Sequence, residues 1–317
     1  MSGHLRLGPG REFDAVRALL AQWGTSAVGI GDDGAVLDVP AGSRLVVSTD
    51  STVEEVHFRR AWLEPEEVGW RATMAALSDL AAMGASPLGM LLALTVPDRW
   101  RDDLEGVARG IGAAAARMGA PIVGGDLSGG ERLALAITVL GHAQRPLTRA
   151  GARPGDRLYV TGALGGPGAA LADWERGGRP RAEDRARFVR PEARIEAGEW
   201  FARAGAHAAV DISDGLAGDV AHLAAASGVR CVLRLDAIPC VAGISPREAL
   251  ASGEEYELLV AAPTLDVAAF AVAHGGLSLR EIGAVEAAAS GSEGDVLAEE
   301  HGRRVTLPSA HDHFVAR

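Results

Sequence analysis

Short apolar runs bounded by glycine, proline or aspartate alternate along the chain with longer alanine-rich stretches. Runs of about five to eight apolar residues favour buried strands, and longer stretches with helical spacing favour helices. This alternation predicts an α/β fold with mixed sheets. The predicted strands are Arg44–Ser48, Met90–Val96, Leu133–Leu140, Leu158–Thr161, Ala208–Ile212, Val229–Leu235 and Leu258–Ala261. The predicted helices are Glu66–Met83, Arg101–Met118, Pro191–Ala204 and Leu216–Ala226.

The length of the chain predicts two domains. A single hydrophobic core usually stops growing near roughly 250 to 300 residues, and this chain has 317. The segment Arg145–Asp156 is rich in proline, glycine and arginine and lies between two strand-like runs. Because such segments often link domains, we predict domains at residues 1–145 and 146–317.

The charge balance argues against nucleic acid as a partner. The formal net charge is -11, and no basic run is present that could follow a phosphate backbone. The chain contains no lysine, so its 31 basic residues are all arginines. This composition excludes a P-loop lysine, a Schiff-base lysine and a lysine general base. An acidic protein that binds phosphates needs metal cations between the negative charges.

Location is predicted from the first residues and the cysteines. Met1-Ser2-Gly3-His4 does not begin a charged region followed by an apolar one, and the apolar runs are well short of the roughly 18 residues of a membrane span. Cys231 and Cys240 have no metal-type spacing and do not suggest a disulfide framework. We expect a cytoplasmic protein with no membrane partner.

Aspartates follow several of the predicted strands. Polar residues after a strand lie at one edge of its sheet, where α/β active sites are usually found. Asp50 is predicted to end a strand in Ser48-Thr49-Asp50, and Asp126 to follow an apolar run in Gly124-Gly125-Asp126. The remaining candidates are Asp32, Asp33, Asp211 and Asp214. Taken alone, each also fits a turn, a cap or a solvated surface position.

Asp79 differs because it lies inside a predicted helix, in the apolar run Ala75–Met83. A carboxylate in such surroundings needs a partner, since desolvating an ion costs several kcal/mol. In a chain without lysine, that partner is an arginine, a hydrogen-bond donor or a metal ion. Mg²⁺ takes oxygen ligands and bridges carboxylates to phosphates. If the aspartates converge, the sequence predicts a site for several Mg²⁺ ions and a phosphate ligand.

Phosphates would have to be held without a P-loop, because the sequence has neither that motif nor a protein-kinase catalytic loop. Glycine turns at Gly124-Gly125 and Gly162–Gly166 would allow the backbone to approach a phosphate closely. Arg149 could bind a phosphate through two parallel hydrogen bonds. The turn at Gly162–Gly166 fits a purely structural role equally well.

These motifs, in this order, resemble the thiamine-monophosphate kinase family. The longest matching stretch is Leu77–Ala85, which contains Asp79, and the resemblance extends over nearly the whole chain. The other matching segments are Gly29–Asp33, Ser48–Asp50, Val56–Phe58, Gly124–Asp126, Leu147–Arg149, Asp211–Leu216, Ser252–Glu254, Tyr256–Leu258 and Asp312–Phe314.

The resemblance implies a two-domain fold like that of aminoimidazole ribonucleotide synthetase. In that fold the N-terminal domain would bind ATP and Mg²⁺ and pair across a homodimer. The implied reaction is transfer of the γ-phosphoryl group of ATP to the phosphate of thiamine monophosphate, which gives thiamine diphosphate. Several Mg²⁺ ions would take part.

Carried over residue by residue, the resemblance also implies roles. The implied metal ligands are Asp33, Ser48, Thr49, Asp50, Asp79, Asp126, Asp211 and Asp214. Within this set, Asp50, Asp79, Asp126 and Asp214 are expected to be catalytic. The implied ATP-binding residues are Gly125, Asp126, Arg149 and Ser213. The implied substrate contacts are His57, Glu254 and His311.

Some residues on the substrate side differ from the family pattern. Ala76 stands where the family usually has Asn, Glu255 where it has Asp, and His311 where an aromatic ring would stack on the thiamine rings. Two other hypotheses keep the fold and change the function. One is an ATP-dependent synthetase of the same superfamily with another acceptor, and the other is a non-catalytic nucleotide-binding protein.

Overall fold

The computed structural model describes residue 4 and residues 11–307, and the chain divides into two compact units. The N-terminal unit comprises the residues up to Leu80 together with Ala85–Gln144. The C-terminal unit comprises Ala81–Gly84 and the residues from Arg145 onward. Each unit is built from helices and a mixed sheet, which confirms the predicted fold class.

The N-terminal unit contains a four-stranded sheet with strand order β1-β4-β2-β3. Strand β4 is antiparallel to both of its neighbours, and β2 is parallel to β3. The elements are α1 (Arg11–Trp23), β1 (Arg44–Val53), α2 (Pro65–Ala82), β2 (Ser86–Val96), α3 (Leu104–Met118), β3 (Ile122–Gly129) and β4 (Ala134–Ala143). Helix α2 ends with two residues that belong to the C-terminal unit.

Strand alternation puts one face of this sheet into the core. Leu135, Ile137 and Val139 alternate along β4 and are almost fully buried, as expected for side chains that point to one face of a strand. Helices α2 and α3 pack closely at Gly69. A Cβ atom there would lie 2.0 Å from the carbonyl oxygen of Val107, which is too close for any side chain. The glycine therefore permits a contact between the two helix backbones.

The other face of β1 carries exposed apolar side chains. Leu45 is 50% exposed and Val47 is 53% exposed, although both lie in a strand whose intervening residue Val46 is buried. Apolar side chains in alternation on an outward face are typical of a surface that pairs with another protein surface.

The C-terminal unit contains a seven-stranded sheet with strand order β11-β10-β7-β9-β5-β8-β6. Its strands are β5 (Arg157–Thr161), β6 (Ala208–Asp211), β7 (Val229–Arg234), β8 (Leu258–Ala262), β9 (Leu279–Ala287), β10 (Val296–Glu300) and β11 (Arg303–Val305). Its helices are α4 (Gly166–Glu175), α5 (Ala182–Val189), α6 (Ile195–Arg203), α7 (Leu216–Ser227), α8 (Pro246–Ala251) and α9 (Val267–Ala273).

Helix α7 supplies much of the core of the C-terminal unit. Leu216, Val220 and Leu223 lie in one buried cluster with strand residues that include Val160 and Val210. The helix ends at Gly228, which has a φ of 65° and so adopts the left-handed conformation that glycine tolerates. Among the described residues, no helix is long and apolar enough to cross a membrane.

Candidate active site

Ser48 and Asp79, two of the predicted metal ligands, are in direct contact in the N-terminal unit. The Ser48 hydroxyl on β1 donates a hydrogen bond of 2.5 Å to Oδ2 of Asp79 on α2. Asp79 is half-buried among fully buried neighbours such as Leu77 and Leu80. The helix therefore presents its only carboxylate in this apolar stretch to a strand that carries further oxygen ligands.

Asp50 lies in the middle of β1 and does not end it. The strand continues to Val53, and Asp50 is paired with Ile137 of β4, so the prediction of a strand end at Asp50 is wrong. Alternation places Ser48 and Asp50 on the same face of β1. Thr49 points to the opposite face, where its Oγ1 accepts a hydrogen bond of 3.2 Å from the Thr138 hydroxyl.

Asp126 also lies within a strand, because β3 runs from Ile122 to Gly129. Asp126 follows the apolar pair Ile122-Val123, as predicted, but it lies inside a strand and not in a loop beyond a strand end. Strands β1 and β3 form the two edges of the sheet, with β4 and β2 between them. Asp50 and Asp126 lie on strands that are three strand spacings, or about 14 Å, apart. These two carboxylates therefore do not bind the same metal ion. Asp126 is exposed.

Gly125 allows β3 to approach β2 closely. A Cβ atom at this position would lie 2.1 Å from the carbonyl oxygen of Leu92, which is closer than any real side-chain carbon approaches. Only glycine fits here, and the reason is packing within the sheet.

Asp33 and His57 lie in connections on either side of β1. The backbone N–H of Asp33 donates to Oδ1 of Asp32 at 2.9 Å, within an exposed turn. The backbone N–H of Val53 donates to Nδ1 of His57 at 3.1 Å. Because Nδ1 accepts the hydrogen bond from Val53, the ring proton lies on Nε2, which can therefore act as a donor.

In the C-terminal unit, three predicted residues lie together between β6 and α7. Asp211 is the buried last residue of β6, and Ser213 and Asp214 precede the first turn of α7. Glu254 is held beside them, because its backbone N–H donates to the Ser213 carbonyl at 2.7 Å. Asp211, Ser213, Asp214 and Glu254 thus form one constellation in the C-terminal unit.

The Glu254 segment adopts an unusual backbone conformation. Glu254 has a φ of 63° and Tyr256 a φ of 53°, and the left-handed region costs non-glycine residues about 1–2 kcal/mol each. The Tyr256 hydroxyl donates to Oε2 of Glu254 at 2.5 Å. The surrounding contacts hold this strained turn and fix the direction of the Glu254 carboxylate.

Asp219 belongs to the same constellation and was not predicted. It lies in the first turn of α7, is 1% exposed, and has an Oδ2 atom without a hydrogen-bond partner. The pKa of Asp219 is raised to about 8, chiefly by burial and in addition by the charges of Asp211 and Asp214, while the charge of Arg149 opposes the rise. Asp219, like Asp79, lies inside a predicted helix among apolar residues. The same sequence signal that identified Asp79 could therefore have identified Asp219.

A buried network of Glu255, Glu257 and two arginines supports this constellation, and the sequence motifs did not predict these ion pairs. Arg194 donates to both carboxylate oxygens of Glu257 at 2.9 and 2.6 Å, and the Thr161 hydroxyl donates to Oε2 at 2.6 Å. Arg187 lies 3.7 Å from Glu255 and 3.6 Å from Glu257. The guanidinium groups thereby compensate two carboxylates that are almost fully buried.

The glycine turn at Gly162–Gly166 is part of this network. The Gly165 backbone N–H and the Ser252 hydroxyl each donate to Oε1 of Glu255 at 2.5 Å. Gly162 has a φ of 66°, and a Cβ atom there would lie 2.2 Å from Oε1 of Glu257. The turn therefore has the structural role that the sequence analysis considered. Gly165 binds Glu255 through its backbone, and Gly162 leaves space for the Glu257 carboxylate.

Arg149 is exposed and lies near Asp219, on whose pKa its charge acts. His311 is outside the described residues. Within those residues, no group of three or more histidine, cysteine, aspartate or glutamate side chains is arranged to hold a metal ion. Ser48, Asp50 and Asp79 thus form one constellation at β1–α2, and Asp211 and Asp214 belong to the other at β6–α7. Thr49, on the other face of β1, and Asp126, on the opposite edge strand, lie outside the first constellation.

The family models match both units. The model described as AIR synthase related protein, N-terminal domain, matches residues 31–143. The model described as AIR synthase related protein, C-terminal domain, matches residues 153–295. The chain therefore has both domains of the AIR synthase related proteins.

Individual relatives narrow this class. The thiamine-monophosphate kinase of Salmonella typhimurium is 37% identical over 284 residues, which cover 85% of this chain and 86% of the relative. The solved thiamine-monophosphate kinase of Stenotrophomonas maltophilia has a TM-score of 0.79 at 32% identity, covering 94% of this chain and 98% of that one. The chain belongs to the thiamine-monophosphate kinase family, as the sequence motifs predict.

Another similar solved structure contains bound ligands. AaThiL, complexed with AMPPCP and TMP, has a TM-score of 0.75 at 29% identity, and the match covers 96% of this chain and 97% of AaThiL. In that protein the fold binds a nucleotide analogue and TMP together.

Proposed function

We propose that this chain transfers the γ-phosphoryl group of ATP to the phosphate of thiamine monophosphate, forming thiamine diphosphate and ADP. The observation that carries the proposal is the match over most of the chain to thiamine-monophosphate kinases, one of which is a structure with AMPPCP and TMP. The acidic constellations at β1–α2 and β6–α7 supply the oxygen atoms that such a reaction requires.

The donor set fits Mg²⁺. The residues proposed to bind Mg²⁺ offer only carboxylate and hydroxyl oxygens, which are hard ligands. In the same constellation as Asp211 and Asp214, Oδ2 of Asp219 is a buried acceptor without a hydrogen-bond donor. The residues that would hold Mg²⁺ are Asp33, Ser48, Thr49, Asp50, Asp79, Asp126, Asp211 and Asp214. When bound, Mg²⁺ neutralises the negative charge of the phosphates that meet during transfer.

The chain's own residues position the reactants. An oxygen of the acceptor phosphate forms a bond to the γ-phosphorus, and the bond from that phosphorus to the β–γ bridging oxygen breaks, so the electron pair leaves with ADP. The acceptor phosphate is a nucleophile at neutral pH, so no protein base is needed. Arg149, Ser213, Gly125 and Asp126 are proposed to hold ATP, and catalysis is then mainly positioning and charge stabilisation.

On the substrate side, the His57 ring would donate from Nε2 to the acceptor phosphate. Glu254, fixed by Tyr256 and Ser213, would contact the thiamine portion. His311 keeps its predicted role as a third substrate contact. Asp50, Asp79, Asp126 and Asp214 remain the proposed catalytic carboxylates.

The proposal includes a homodimer formed through the N-terminal domain, residues 1–145, which would also bind ATP and Mg²⁺. The exposed apolar side chains of Leu45 and Val47 on β1 support a pairing surface there. Residues 146–317 would form the second domain. A cytoplasmic location remains a prediction from the sparse cysteines.

The test is a product assay. Purified protein is incubated with ATP, MgCl₂ and thiamine monophosphate, and thiamine diphosphate and ADP are quantified by chromatography. We expect one thiamine diphosphate for each ADP, and no thiamine diphosphate when thiamine replaces the monophosphate. ADP formation without thiamine diphosphate would favour a different acceptor, and neither product under saturating conditions would favour a non-catalytic nucleotide-binding protein.

A further inference from the structure

The hydroxyl of Ser227, the last residue of α7, makes three hydrogen bonds to the backbone of residues 149–152. Its Oγ donates to the Arg149 carbonyl at 2.7 Å. The same Oγ accepts from the backbone N–H groups of Gly151 and Ala152, each at 3.1 Å. A serine hydroxyl has one donor and two acceptor sites, so all three are directed at residues 149–152.

The backbone on both sides of Arg149 is fixed as well. The Ala209 N–H of β6 donates to the Thr148 carbonyl at 3.2 Å. Gly151 lies so close to His207 that a Cβ atom would be 2.0 Å from its carbonyl oxygen. The main chain of Arg149 is therefore held between β6 and the end of α7, although the residue itself is exposed.

Helix α7 also carries Asp219, which belongs to the acidic constellation of the C-terminal unit. Asp219 lies in the first turn of α7, about 12 Å from Ser227 along the helix axis. The charge of Arg149 acts on Asp219. One rigid helix thus fixes the backbone of Arg149 at its end and the acidic constellation at its start.

From this geometry we infer that Ser227 is a positioning residue for ATP binding, which acts by fixing the Arg149 backbone so that the guanidinium reaches the nucleotide phosphates. The inference rests on the proposed function of Arg149 in binding ATP. Ser227 itself touches no substrate, because its hydroxyl is fully engaged with residues 149–152.

The test compares Ser227→Ala with Ser292→Ala in the full chain. Ser292 is a matched control because its hydroxyl donates to the Ala289 carbonyl at 2.9 Å in an exposed turn of the same unit. Ser227→Ala should raise the KM for ATP about fivefold to tenfold, the loss expected for a hydrogen bond that orders a binding group. The kcat and the KM for thiamine monophosphate should stay within about twofold of wild type. Ser292→Ala should change none of the three constants.

A double-mutant cycle identifies the route of the effect. In an Arg149→Ala background, Ser227→Ala should produce no further rise, because the side chain that it positions is gone. Ser227→Thr, which keeps the hydroxyl, should restore the wild-type KM for ATP. If Ser227→Ala fails to fold, Ser227→Cys, which keeps the size and weakens the hydrogen bonds, must show the same selective rise.

An unchanged KM for ATP in Ser227→Ala, or an equal rise with and without Arg149, would overturn the inference. AMPPCP affinity, measured by calorimetry on the same variants, separates this outcome from a failure of the proposed function. If wild type binds AMPPCP but makes no thiamine diphosphate, the proposed function fails. In that case the affinity of Ser227→Ala for AMPPCP still decides whether Ser227 positions Arg149.

Discussion

The Ser48 hydroxyl donates to the Asp79 carboxylate at 2.5 Å and joins β1 to α2 in the N-terminal unit. Both residues are proposed cation ligands, and the bond fixes the Asp79 side chain before any ligand binds. A carboxylate held in place loses little conformational freedom when it takes up a cation, so the contact pre-organises the proposed site.

We predict that Asp79→Asn lowers turnover of thiamine monophosphate by at least about a hundredfold, because charge stabilisation is the main catalytic contribution in phosphoryl transfer. The fold should be retained, since an amide oxygen can still accept from Ser48. Steady-state kinetics and thermal unfolding check both parts. Asp102→Asn is the control, because Asp102 is exposed in the same unit. Turnover of Asp79→Asn near the wild-type rate would refute a role in the reaction.

Stability should depend on pH through Glu255. Burial raises its pKa from the ordinary value of 4.5 to about 7, so the folded state holds a proton that the unfolded state releases. The stabilisation is complete below pH 4.5 and is lost as the pH rises through about 7. In this window the free energy of unfolding should fall by up to about 1.4 kcal/mol per pH unit.

Glu255→Gln should remove that contribution to the slope. Urea unfolding of wild type and variant between pH 5 and pH 8 measures it, with magnesium absent. Glu183→Gln, at an exposed position in α5, serves as the control and should keep the wild-type slope. Identical slopes for wild type and Glu255→Gln would show that Glu255 does not hold this proton.

Gly162→Ala should destabilise the protein more than Gly155→Ala. Both glycines have a positive φ, 66° and 96°, but a Cβ atom meets Glu257 only at Gly162 and has free space at Gly155. Gly155→Ala should cost about 1–2 kcal/mol from backbone strain alone. Gly162→Ala should cost more, because Glu257 must shift away from Arg194. Chemical denaturation measures the difference, and equal losses would argue against the close packing of Glu257.

Val47→Asp should convert the proposed homodimer to a monomer. The charge would lie on the outward face of β1, where burial in an interface without a partner is costly. Light scattering after size-exclusion chromatography gives the mass. Val36→Asp is the control, since Val36 is 96% exposed outside any strand. A dimer that persists in Val47→Asp would place the pairing surface elsewhere.

Local patterns predicted much of the fold. The apolar spacing of α2 and the glycines after α2 and α3 are local signals, and the structure has these helices within a few residues of the predicted bounds. Strand β3 was not predicted, because its glycines break the apolar pattern and its pairing with β2 determines the conformation. Asp50 and Asp126 were misplaced for the same reason, since ladder pairing extends a strand beyond its apolar run.

The candidate site was predictable only in part. Aspartate motifs are visible in the sequence, but burial and electrostatic neighbours depend on tertiary contacts. Asp219 has a raised pKa chiefly because the fold buries it, and the charges of Asp211 and Asp214 add to the rise. Glu255 depends on Gly165, which is distant in the sequence and adjacent in space. No local pattern encodes either relationship.

The most direct test of cation binding by these aspartates counts Mn²⁺ ions on the protein by electron paramagnetic resonance, with AMPPCP and thiamine monophosphate present. We expect more than one Mn²⁺ per chain in wild type, and weaker binding in each of Asp50→Asn, Asp79→Asn and Asp214→Asn. A single Mn²⁺ per chain, bound equally well by wild type and all three variants, would show that the nucleotide alone carries the metal and that these aspartates bind none.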